Sequence, residues 1–127
     1  MAIDRYDPLK APDAAAWLAT DEQERIDLAL DYHRRKGIEV PNAPVHAMLH
    51  AAVENQIALG DEITVQRKAR QLMAQGLDRH EAIHAIGSVL INFFATALKH
   101  PEPGRDPNER YFAALARLNA RRWLRSG

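Results

Sequence analysis

The sequence predicts an all-α protein, a compact helical bundle of four main helices followed by a C-terminal helix. Three observations carry that prediction. Cap and stop residues divide the chain into stretches of helical length, each stretch holds apolar residues at helical spacing, and no segment alternates apolar with polar residues.

The elements follow in order. Residues 1–12 lack a helical pattern and are expected to be disordered or extended, within a single helical domain spanning residues 1–127. A short turn from Asp13 to Ala19 carries Trp17 and Leu18. Thr20 and Gln23 read as a capping box, in which each residue satisfies an amide that the helix end leaves open. The helix they open runs from Asp21 to Lys36 and stops at Gly37. Pro41 and Pro44 mark residues 38–44 as a loop. The second helix starts near Pro44, a residue tolerated in a first turn, and stops at Gly60. The third runs from Asp61 to Gln75, before Gly76.

The fourth opens at Asp78, with Glu81 three residues on as a second capping box, and continues to Lys99. His100-Pro101-Glu102-Pro103-Gly104 then breaks it. Its apolar arc holds Ile83, Ile86, Val89, Leu90, Phe93, Phe94 and Ala97. Gly87 lies in that arc and is expected to admit a neighbouring helix closely, at about 1 kcal/mol of helix propensity. Asp106 as cap, Pro107 at the first position and Glu109 at the third open the fifth helix, which ends near Arg125.

The chain has 127 residues with 17 basic and 17 acidic side chains. Such a length supports one domain with one modest core. The charge balance supplies no general attraction to nucleic acid or anionic membrane. Cysteine is absent, which removes disulfides, thiolate nucleophiles and iron–sulfur clusters. The first residues hold no apolar run of the signal-peptide kind, and the weakly polar stretch 82–98 is interrupted by His84, Ser88, Asn92 and Thr96. A cytoplasmic protein is expected. No G-x-x-x-x-G-K, G-x-G-x-x-G or G-x-S-x-G occurs, so the common phosphate cradles and the serine-hydrolase elbow are not indicated.

The chemistry lies in the histidines. Four of the six form two i,i+4 pairs, His46 with His50 and His80 with His84. Residues four apart share a helix face, so each pair can point two imidazoles at one ion. Glu54 follows His50 by one more turn. The expected metal site is therefore His46, His50, Glu54, His80 and His84, with Glu54 either ligating or orienting an imidazole. Without cysteine, the donors are nitrogen and oxygen, which suits Zn, Fe, Mn or Ni without choosing among them.

His80-Glu81-Ala82-Ile83-His84 also matches H-E-x-x-H and resembles the zincin metalloprotease motif, which implies Glu81 as the general base. Leu90 stands where the metzincin third His belongs, and no sheet is predicted. Glu81-Ala82-Ile83-His84 is likewise a single half of the di-iron E-x-x-H pair. If no catalysis occurs, Glu81 is a helix cap. The rival to metal binding is a metal-free structural or protein-interaction module whose histidines pack at a groove edge.

Several segments together resemble a group of small bacterial proteins of unknown function. They are Trp17-Leu18-Ala19-Thr20-Asp21-Glu22-Gln23-Glu24-Arg25-Ile26, Tyr32-His33, His46…His50…Val53-Glu54-Asn55-Gln56 and Gly76-Leu77-Asp78-Arg79-His80-Glu81-Ala82-Ile83-His84-Ala85-Ile86-Gly87. The resemblance covers about residues 14 to 95. It names no activity and implies that the histidine-bearing segments belong to the group's pattern.

His33, beside Arg34, Arg35 and Lys36, reads first as a cation complementing a helix C-terminus and second as a further ligand. Arg110, Arg117, Arg121, Arg122 and Arg125 make the last helix basic, while Asp21, Glu22, Glu24, Asp27 and Asp31 make the first acidic. Pairing between them is the simpler expectation than nucleic-acid binding. A homodimer is the expected partnership for so short a chain with this much apolar surface.

Overall fold

The structure is a computed structural model and describes residues 3–60, 64–100, 104 and 107–126. Among the described residues there are seven helices: α1 (Ala14–Ala19), α2 (Glu22–Arg35), α3 (Ala43–Ala58), α4 (Val65–Ala74), α5 (Arg79–Lys99), α6 (Pro107–Arg117) and α7 (Ala120–Ser126). Among the described residues there is no strand. The bundle is all-α, as its sequence pattern predicts.

Short polar side chains start the helices. Asp13 accepts from the Ala16 amide at 3.0 Å, Asn42 from Val45 at 3.2 Å and Asp78 from Glu81 at 2.8 Å. Each satisfies an amide that has no partner inside its helix. The capping box at Thr20 is not formed. Asp21 is the N-cap of α2 and accepts from the Gln23 amide, while the Thr20 hydroxyl donates back to the Ala16 carbonyl at 2.8 Å. Thr20 closes α1 as its C-cap and Asp21 opens α2. Gly37 ends α2 with φ 66° and Gly76 follows α4 with φ 108°. Side chains other than glycine rarely adopt that backbone region.

The predicted third helix begins later than expected, at Val65, and its Asp61 lies outside the described residues. Asp106, the expected cap of the last helix, also lies outside them. That last helix is two. At the junction, Lys68 of α4 donates to the Leu118 carbonyl at 2.8 Å, and Gln75 accepts from the Ala120 amide at 2.8 Å. Asn119 accepts from the Arg122 amide at 2.9 Å and starts α7. Lys68 of α4 and Gln75 just after it thus satisfy two of the backbone groups at the break.

Two apolar clusters form the core. One joins Val53 of α3 with Val65, Ala69 and Leu72 of α4, Ile83, Ile86 and Leu90 of α5, and Tyr111 and Leu115 of α6. The other joins Tyr6, Trp17, Ala29 and Tyr32 with Ala47 and Ala51 of α3. Helix α3 therefore serves both, packing on α2 and α1 on one side and on α5 and α4 on the other. Trp17 fixes α1 to α3 by donating from Nε1 to Asn55 Oδ1 at 2.7 Å. Gly87 does face α3, but a methyl group there would meet Leu49 Cβ at 3.8 Å and Val53 Cγ2 at 4.0 Å. Those are ordinary contacts, so close helix approach does not require the glycine. Among the described residues α5 alone is long and apolar enough to cross a membrane. It lies packed on α3, α4 and α6 with Ala82, Ile83, Ala85, Ile86 and Leu90 buried, the setting of a core helix.

Candidate metal centre

Helices α3 and α5 lie side by side, and each carries its histidine pair on the face toward the other. The two pairs meet. His50 Nε2 lies 3.1 Å from His84 Nε2 and 3.2 Å from His80 Nε2. Helix α2 adds a fifth ring, His33, with its centroid 4.6 Å from that of His46 and 4.7 Å from that of His50. One ring nitrogen from each of His33, His46, His50, His80 and His84 falls within 4.8 Å of all the others.

Hydrogen bonds fix which nitrogen faces inward. A carbonyl oxygen only accepts, so His33 donates from Nδ1 to the Ala29 carbonyl, at 2.8 Å. In the neutral imidazole its Nε2 then carries the lone pair. Tyr6 has one hydroxyl proton and donates it to Glu54 Oε2 at 2.5 Å. The 3.0 Å contact between Tyr6 and His50 Nδ1 then runs the other way, with the imidazole donating to the phenol oxygen. His50 Nε2 is thus also a lone pair directed at the other rings. These two rings are the most enclosed of the five, at 3% and 1% exposure. The Nε2 atoms of His33 and His46 are buried and have no hydrogen-bond partner, an arrangement that native interiors rarely tolerate unless another species satisfies it.

Burial and mutual repulsion hold four of the rings, His46, His50, His80 and His84, neutral. Burial first, then the neighbouring His84 and His33, lower the His46 pKa to about 4. Burial and His33 lower His80 to about 4 against the pull of Asp78. Burial and His80 lower His84 to about 4. His50, the deepest of the four, is shifted in the same direction by burial and then by His84. Neutral imidazole is the form that binds metals.

Of the residues singled out in the sequence, His46, His50, His80 and His84 come together, and Glu54 stands outside the ring group. Its carboxylate is buried, at 2% exposure, and makes a two-pronged pair with Arg79: Oε1 and Oε2 each accept a guanidinium N–H at 2.7 Å. Oε2 also takes the Tyr6 proton. Both oxygens are thus occupied, and Glu54 reaches His50 only through the Tyr6 hydroxyl. Arg79 donates further to the Pro8 carbonyl at 3.0 Å and so ties the N-terminal segment to α5. Burial, then the Glu54 charge, holds the Tyr6 phenol well above its ordinary pKa, so it stays a donor. Glu81 is not a member of the ring group, and its backbone amide serves the Asp78 cap.

His33 is the cluster residue that its neighbours disguised. Beside three cations it reads as a helix-end charge, but it lies seven residues after Ile26 and four after Ala29, on the stripe that α2 buries. That spacing is the signal for its burial. Tyr6 and Arg79 carry no such signal, because each is placed by contacts more than twenty residues away in sequence.

No protein-family model, curated protein or solved structure matches this chain.

Proposed function

We propose that this protein binds one transition-metal ion through His33, His46, His50, His80 and His84. The observation that carries the reading is the convergence of five imidazole nitrogens, two of them buried without a partner. The spacing supports it. Metal–nitrogen bonds of about 2.1 Å place adjacent ligands roughly 3.0 Å apart in an octahedral shell and roughly 3.4 Å apart in a tetrahedral one. The separations of 3.1 and 3.2 Å around His50 Nε2 fall in that range. A packing role for the same rings would leave the orphaned nitrogens uncompensated, each at roughly 1–3 kcal/mol.

The donor set is nitrogen alone, because Glu54 is committed to Arg79 and Tyr6. Imidazole donors favour Fe, Ni, Cu or Zn over Mn, which prefers oxygen. Five donors exceed the four of a structural zinc site, and so favour an ion that accepts five or six ligands. The Glu54–Tyr6–His50 chain places a carboxylate behind a ligating ring, the arrangement that fixes ring orientation in metal sites, here with a phenol between them.

Elemental analysis of protein purified without chelator should find about one ion per chain or per dimer. After chelation, adding Ni(II), Fe(II) or Zn(II) should raise the melting temperature. Free metal at a hundredfold excess over its Kd adds about 2.7 kcal/mol. The conservative variant His50→Gln should lose both the ion and the rise. Protein with no bound metal and no metal-induced shift would refute the proposal and leave the metal-free module.

A further inference from the structure

A partly open cavity of about 290 Å³ lies against one side of the histidine cluster. We infer that the metal centre keeps a coordination position facing this cavity, and that the position takes a small molecule with one lone-pair nitrogen or oxygen on an uncharged, largely apolar body. This inference rests on the metal-binding reading above.

The lining divides by chemistry. His46, His50 and His84 form the cluster side, whereas His33 and His80 are not part of the lining. The five ligands are therefore not spread evenly: three rings border the cavity and two stand away from it. An ion with octahedral preference would have its sixth position left over. His46, whose buried Nε2 has no partner, is among the rings that border the space.

The rest of the lining is carbon-rich. Leu49, Ile83, Gly87, Ile91 and Trp123 supply it. Its polar groups are the indole N–H of Trp123 and the hydroxyl of Ser88, which already donates to the Ala85 carbonyl at 2.8 Å. Among the described residues no lysine, arginine or carboxylate lines the cavity. A ligand whose far end carries a charge would lose water there and find no counter-charge, which is costly. An uncharged far end would instead gain from leaving water. The size is also limiting. Sites for drug-sized molecules begin at about 300 Å³, so this one suits a ligand of one small ring or less.

The test separates the metal from the cavity. Pyridine and isonicotinate present the same donor nitrogen, and they differ in a carboxylate at the far end. Protein loaded with cobalt(II) should retain the ion through gel filtration. Pyridine should then shift its visible absorption bands, and isonicotinate should bind at least tenfold more weakly. Ile91→Trp, which fills the cavity mouth, should weaken pyridine at least tenfold with cobalt content unchanged. Failure to retain cobalt would overturn the metal-binding reading and this inference with it. Retained cobalt whose spectrum pyridine leaves unchanged would overturn this inference alone. So would equal affinity for the two ligands, or undiminished pyridine affinity in Ile91→Trp.

Discussion

Mild acid should unfold the metal-free protein. His46, His80 and His84 are held to about 4 by burial and by one another, against an ordinary value of 6.5, and His50 is shifted the same way. Between those two values an unfolded chain binds protons that the fold refuses. The folded state therefore has its full stability above pH 6.5 and loses it as pH falls below that value; the loss from His46, His80 and His84 stops near pH 4, while His50, lowered further by its deeper burial, goes on contributing below it. One ring contributes about 1.4 kcal/mol per pH unit within that window. Four rings give about 5 kcal/mol per unit, and the residual hydration of the three outer rings reduces this to about 3. A domain of this size has about 5–15 kcal/mol to lose. Chelator-treated protein, followed by far-UV circular dichroism, should hold its helicity at pH 7 and unfold near pH 5. The variant His46→Gln/His84→Gln should unfold at lower pH, because two of the four rings no longer take up protons. A melting temperature that stays flat from pH 7 to pH 5 would refute the reasoning, since it would mean the rings are not enclosed as neutral groups.

Two further outcomes test the support behind the rings. Tyr6→Phe removes the oxygen that accepts from His50 Nδ1 and the proton that Glu54 receives. It should cost about 1–3 kcal/mol in chemical denaturation and weaken metal binding about 10–100-fold in competition with a coloured chelator. Glu54→Ala and Arg79→Ala each strand a buried charge and should each cost about 3–5 kcal/mol. The double variant Glu54→Met/Arg79→Met should recover most of that loss, and equal instability of the single and double variants would show that the pair is not what the fold depends on.

The helices and most of the ring cluster were legible because both follow local spacing. Asp78 caps α5 where its sequence context places it, and i,i+4 spacing alone puts His46 with His50 and His80 with His84 on common faces. What was not legible depends on distant contacts. The break between α6 and α7 is held by Lys68 and Gln75 of α4, which no window around Leu118 contains. Glu54 looks like a ligand from its spacing to His50, and only Arg79, twenty-five residues on, shows its carboxylate to be engaged elsewhere. Part of the charge on the acidic first helix and the basic last one is engaged close by in sequence. Asp31 pairs with Arg35 in its own helix, while Arg110 and Arg122 donate to the carbonyls of His100 and Arg117.

Tyr6 belongs to a segment without regular structure, yet it is 1% exposed and bonded to both α3 residues behind the rings. During synthesis it leaves the ribosome about seventy residues before Arg79, the guanidinium that holds Glu54 in place for it. Trp17, Tyr32 and the Arg35 guanidinium also hold the Tyr6 segment, so contacts with α1 and α2 form first and Arg79 completes the arrangement only once α5 has emerged.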